Sequence, residues 1–140
     1  MARILALDYG TKRVGVAVTD PLQIIATGLT TISEKEIWTF LAGYFVKEKV
    51  DCLVIGYPVQ STGKGSESLR VINPFIKKFL KTYPHIPVEQ ADERYTSKIA
   101  QQTMLSGGLK KKDRQNKSLV DTISATIILQ GYLETRKLKR

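Results

Sequence analysis

The sequence predicts a mixed α/β fold, a five-stranded sheet with helices on both faces, on three observations. Its N-terminal part holds three apolar or threonine-rich segments joined by short turns. The run Cys52 to Ile55 is apolar without alternation, and beyond Ser33 segments of helical spacing alternate with strands. The first observation implies an antiparallel meander, the second a central strand covered on both sides, and the third parallel strands joined through helices. All 140 residues are expected to form one domain, because a chain of this length buries roughly two thirds of its unfolded surface.

Arg3 to Asp8 reads as the first strand, closed by Asp8, and Arg13 to Thr19 as the second, with Tyr9 to Lys12 as the hairpin turn. Asp20-Pro21 signals another turn, after which Ile24 to Ile32 suits a third strand. Ser33 and Glu36 match a capping box, and Ile37, Phe40, Leu41, Tyr44 and Phe45 then recur at helical spacing up to Lys49. The aromatics of that helix, Trp38, Phe40, Tyr44 and Phe45, read as core side chains. Asp51 to Tyr57 is the fourth strand, and the polar stretch Val59 to Ser68 is expected to be a mobile loop. Leu69, Ile72, Phe75, Ile76 and Phe79 lie at helical spacing around Pro74, so this helix starts or kinks at the proline. Pro87 to Ala91 is the fifth strand, ending in Asp92-Glu93-Arg94. A helix from about Thr96 to Leu105 stops at Gly107-Gly108, and the last helix runs from Lys117 to Thr135.

Lys and Arg number 22 against 13 Asp and Glu, a formal charge of +9 that favours polyanionic partners. Five of the basic residues crowd into Lys110 to Lys117 with one acid among them, a loop suited to phosphate backbones or simply to solvation. One cysteine, Cys52, and one histidine, His85, exclude an internal disulfide and a His-rich zinc site. The longest uncharged stretch, Pro21 to Ser33, has 13 residues and four hydroxyl side chains, too short and polar for a membrane span. No signal peptide is readable, because the apolar run Ile4 to Leu7 ends at Asp8. A cytoplasmic protein without membrane contact is expected.

Three acidic positions stand out. Asp8 emerges from an apolar strand at a sheet rim, where a carboxylate must meet a metal, a donor or its own turn backbone. Asp92-Glu93 ends the fifth strand, on the same rim if the two strands run parallel, and either acid could instead pair with Arg94. Asp121 lies on the helix face that continues through Ser124, Ala125, Ile128 and Tyr132, so it points toward the sheet, although a helix dipole also attracts an acid there. Separated carboxylates form an all-oxygen set suited to Mg²⁺ or Mn²⁺, and two such ions sharing Asp8 would serve phosphodiester hydrolysis. The stretch Gly56 to Gly65 fails as a Walker A loop, since six residues separate Gly56 from Gly63 and Gly65 stands where a hydroxyl is needed. No nucleophile pair is credible, because Cys52 lies within an apolar strand and His85 lies between two prolines.

The segments Asp8-Tyr9-Gly10-Thr11-Lys12-Arg13-Val14-Gly15-Val16-Ala17, Gly56-Tyr57-Pro58, Asp92-Glu93-Arg94-Tyr95-Thr96 and Asp121-Thr122-Ile123-Ser124-Ala125 together resemble the YqgF/RuvX family of Holliday-junction-resolvase-like proteins, regarded as pre-16S rRNA nucleases. The resemblance spans nearly the whole chain. It implies a ribonuclease H-like fold and a metal-dependent nuclease that processes the 5′ end of precursor 16S rRNA in ribosome biogenesis. Asp8, Glu93 and Asp121 then serve as catalytic metal ligands. True junction resolvases of this fold carry an acid after the fourth strand, where this chain has Gly56-Tyr57, so branched DNA is the alternative substrate and a silent nucleic-acid-binding module a further one. Lys12, Arg13, Arg94, Lys110, Lys111, Lys112 and Arg114 are the expected nucleic-acid contacts, in a monomer or homodimer.

Overall fold

The computed structural model describes residues 2–57, 64–92 and 117–138. Strands β1 (Arg3–Tyr9), β2 (Arg13–Thr19), β3 (Ala26–Ser33), β4 (Val50–Tyr57) and β5 (Val88–Asp92) form one sheet in the order β3-β2-β1-β4-β5. β1, β2 and β3 pair antiparallel as the expected meander, while β4 runs parallel to both β1 and β5. The parallel pairs need long crossovers, and α1 (Ile37–Lys47) and α2 (Lys64–Thr82) supply described parts of them. The final helix is α3 (Lys117–Leu138).

Alternation along the strands divides the sheet into two unlike faces. Leu5, Leu7, Val14, Val16, Leu53 and Ile55 turn to one side, where Ile37 and Leu41 of α1 and Ile72, Phe75 and Phe79 of α2 cover them. On the other side Ile4, Ala6, Ala17, Cys52 and Val54 meet Ala125, Ile128, Leu129 and Leu133 of α3. Among the described residues the first face carries the larger side chains and meets α1 and α2. The second, with Ala6, Ala17 and Cys52 among its residues, lets α3 lie close to the backbone. Trp38, Phe40, Tyr44 and Phe45 pack against the first core, as their spacing implied.

Local boundaries differ from the sequence reading for identifiable reasons. β1 continues through Tyr9, whose ring lies 4.7 Å from that of Phe75 and whose hydroxyl donates to Glu34 Oε1 at 2.8 Å. β3 begins only at Ala26, because the backbone before it is held by Asp20. The Asp20 carboxylate accepts N–H bonds from Leu22, Ile24 and Ile25, and Gln23 sits at φ 60°. That local bonding competes with strand pairing. Ser33 Oγ accepts from the Lys35 N–H at 3.3 Å and starts a 3₁₀ turn, Glu34–Glu36, ahead of α1, in place of a reciprocal capping box. The stretch expected to be a mobile loop up to Ser68 is helical from Lys64, and Pro74 lies inside α2. Proline in a helix interior costs about 3 kcal/mol. Here its ring is exposed, while Ile72, Phe75 and Phe79 remain on one buried stripe that offsets the cost. Among the described residues no helix is long and apolar enough to cross a membrane. The helix expected over 96–105 lies outside the described residues.

Candidate active site

Because β1, β4 and β5 run parallel, their C-terminal ends share one rim. Asp8 is the penultimate residue of β1 rather than its last, and it stands on the α3 face by alternation with Ala6 and Ile4. In register, Asp8 lies opposite Gly15 of β2, and Gly15 lies opposite Thr31 of β3. Across this row α3 makes its closest approach. A Cβ built on Gly15 would run into the backbone carbonyl of Asp121 and lie 3.2 Å from its side-chain Cβ. The Thr31 and Thr122 hydroxyls share a hydrogen bond of 2.6 Å. Glycine at position 15 is therefore what lets Asp121 settle one strand away from Asp8.

The next turn repeats the device. A Cβ on Gly28 would come within 2.7 Å of Thr122 Cγ2 and 2.9 Å of Thr126 Oγ1. Thr126 itself donates to the Thr122 carbonyl at 2.9 Å. Within the same turn of helix Ser124 and Ala125 are buried. The inward face expected from the spacing of Asp121, Ser124, Ala125 and Ile128 is thus the face that packs, extended by Leu129 and Leu133.

Arg13, the first residue of β2, reaches across this row, and its Nε donates to Asp121 Oδ2 at 2.8 Å. Both side chains are partly exposed, at 36% for Arg13 and 24% for Asp121, so the pair sits at the mouth of the rim. The backbone of Arg13 is fixed by the hairpin, its carbonyl accepting from the Gly10 N–H at 2.9 Å. Lys12 is exposed in the adjoining turn, and its carbonyl accepts from the Glu34 N–H at 2.9 Å. Tyr9 continues the same strand end. Burial, then its hydrogen bond to the Glu34 carboxylate, pushes its phenol well above the usual range.

The structure therefore brings Asp8, Asp121 and Arg13 together and keeps Lys12 on the same hairpin. Glu93, Arg94, Lys110, Lys111, Lys112 and Arg114 lie outside the described residues. Among the described residues no group of three His, Cys, Asp or Glu side chains is gathered that could hold a metal. Gly56, at the place where junction resolvases carry an acid, is buried in β4 and pairs with Ala91. Sequence reasoning missed two features, the close approach at Gly15 and the Arg13–Asp121 pair. A glycine inside an apolar strand was the available signal for the first. The second had none, because its partners are distant in sequence.

The family model described as RuvX, Holliday junction resolvase, matches residues 2–135. A protein of Bacteroides thetaiotaomicron is 55% identical over 137 residues, covering 98% of this chain and 99% of its own. Phocaeicola vulgatus has one 58% identical over 137 residues, with 98% and 99% covered. Flavobacterium psychrophilum has one 56% identical over 138 residues, with 99% and 100% covered. All three carry the name pre-16S rRNA nuclease. Among solved structures, Thermus thermophilus RuvC in complex with a Holliday junction substrate superposes with a TM-score of 0.58 at 15% identity, over 98% of this chain and 96% of the other. The fowlpox virus Holliday junction resolvase gives 0.58 at 15% identity, over 95% and 99%. These likenesses establish the ribonuclease H-like fold that the motifs implied.

Proposed function

The chain belongs to the RuvX family and is a nuclease that hydrolyses phosphodiester bonds, and we propose that it does so as one metal-dependent domain on the 5′ end of precursor 16S rRNA. Its catalytic metal ligands are Asp8, Glu93 and Asp121, and the ion is Mg²⁺ or Mn²⁺. The observation that carries this reading is the meeting of Asp8 and Asp121 across Gly15, two carboxylates from opposite ends of the chain on one rim. Their donor chemistry fits the ion, since carboxylate oxygens without thiolate or imidazole select hard cations. When bound, such ions polarise the scissile phosphate and lower the pKa of an attacking water. Asp8 stands on a central strand and Asp121 on a helix packed against it, so neither can retreat from the rim. Lys12 and Arg13 beside the acids, with Arg94, Lys110, Lys111, Lys112 and Arg114, contact the phosphate backbone without reading bases.

A second reading, cleavage of branched DNA, is favoured by the description of the family itself. Native protein and Asp8→Asn are compared on a precursor 16S rRNA fragment and on a four-way DNA junction, with and without Mg²⁺ or Mn²⁺. The expected result is metal-dependent cleavage of the RNA, lost in Asp8→Asn while the fold persists. An Asp8→Asn protein that cleaves within a few-fold of the native rate refutes the site. Preferential junction cleavage replaces the RNA substrate with the DNA one.

A further inference from the structure

We infer that Arg13 is a resident counter-ion of Asp121 which a divalent cation must displace, and that the displaced guanidinium then engages a substrate phosphate. The inference rests on the metal-site reading above and adds to it a coupling between metal and nucleic acid. Its basis is the 2.8 Å bond from Arg13 Nε to Asp121 Oδ2. The oxygen that bond occupies belongs to the carboxylate proposed to hold the ion.

An ion such as Mg²⁺ binds carboxylate oxygens at about 2.1 Å and carries two positive charges. An arginine nitrogen held within hydrogen-bond distance of the same oxygen would lie about 4 Å from it, where like charges repel. The two cations therefore compete for Asp121. The pair is built to yield, because the backbone of Arg13 is pinned by the hairpin while its long side chain is only partly buried at the rim. A guanidinium released there stays beside Lys12, and its planar fork suits phosphate oxygens. A pair that served only to tie α3 to the hairpin would give a different signature, since α3 is already seated by Gly15, Gly28 and the Thr31–Thr122 hydrogen bond.

Linkage makes the consequence measurable. If metal binding releases Arg13 to phosphate, metal strengthens nucleic-acid binding and nucleic acid strengthens metal binding by the same factor, and the arginine carries that factor. The experiment uses the full chain as native protein, Arg13→Gln, Arg13→Lys and Asp121→Asn. Mn²⁺ affinity is measured by calorimetry. Binding of a fluorescein-labelled RNA stem-loop is followed by anisotropy with and without Ca²⁺, which oxygen ligands also accept. Arg13→Gln is expected to bind Mn²⁺ about five- to tenfold more tightly, as removal of a neighbouring unit charge implies. The enhancement of RNA binding by Ca²⁺ is expected to fall at least about threefold in the same variant. Arg13→Lys keeps the charge and should bind Mn²⁺ within about twofold of native.

Unchanged or weaker Mn²⁺ binding by Arg13→Gln overturns the inference, with the metal site itself intact if Asp121→Asn binds poorly. Tighter Mn²⁺ binding with an undiminished effect of Ca²⁺ on RNA affinity overturns the handover to phosphate. Native protein that binds no Mn²⁺, or Asp121→Asn that binds it as well as native protein, refutes the metal-site reading and this inference with it.

Discussion

Replacing Gly15 by alanine adds one methyl group at the point where α3 lies closest to the sheet. In the native geometry that carbon would overlap the backbone carbonyl of Asp121 and approach its side-chain Cβ to 3.2 Å. Backbone cannot rotate out of the way as a side-chain tip can, so the helix must lift or slide. Overpacking of this kind costs about 1–3 kcal/mol. For a domain of this size it lowers the melting temperature by about 4–12 °C. Asp121 moves with the helix, and a displacement near 1 Å of this proposed metal ligand should lower turnover about a hundredfold. Two other glycines calibrate the effect. A Cβ on Gly28 meets side-chain atoms of Thr122 and Thr126 rather than backbone, so Gly28→Ala should cost less. A Cβ on Gly43 of α1 meets nothing within 4 Å, and alanine there should stabilise by about 0.5–1 kcal/mol. Calorimetric melting of the three variants, with metal-dependent cleavage measured on each, tests the ranking. A Gly15→Ala protein that melts with the native one and cleaves at the native rate would show that α3 does not seat Asp121 through this contact.

Tyr9→Phe removes the hydroxyl that donates to Glu34 and should cost about 0.5–1.5 kcal/mol by urea denaturation. Since the Tyr9 phenol is raised above its ordinary value near 10, its stabilising contribution is complete below about pH 10 and is lost as pH rises beyond it. The native protein should therefore lose more stability than Tyr9→Phe between pH 10 and higher pH, and parallel loss would exclude Tyr9 as the cause. Phe79→Ala empties a fully buried position between Phe75 and Tyr83, whose rings lie 5.9 Å and 5.2 Å away, and should cost about 3–5 kcal/mol, read as a fall in urea midpoint. Replacing Lys110, Lys111 and Lys112 by Gln should weaken binding to RNA and DNA alike. It should also flatten the salt dependence by up to about 0.9 log unit for each phosphate contact removed. An unchanged affinity and salt slope would assign these three lysines to solvation alone.

What the sequence by itself determined is everything carried by local periodicity and composition. The apolar segments Arg3 to Asp8 and Arg13 to Thr19 about a short turn, the unbroken apolar run at Cys52 to Ile55, and the helical recurrence of Ala125 and Ile128 were enough to foresee five strands and helices on both faces. Asp8 was legible as an acid at the end of an apolar strand, and Asp121 as an acid on an apolar helix face. Tertiary structure decided the rest. Pro74 lies inside α2 because the burial of Ile72, Phe75 and Phe79 outweighs a local penalty. The start of β3 depends on three backbone bonds to Asp20. The pairing of Arg13 with Asp121, and the adjacency of Asp121 to Asp8 over Gly15, exist only once α3 has docked. Periodicity tells which face of an element is buried. Which residue of another element it then meets, and at what distance, is set by the depth of packing, and here a missing Cβ on the sheet sets that depth.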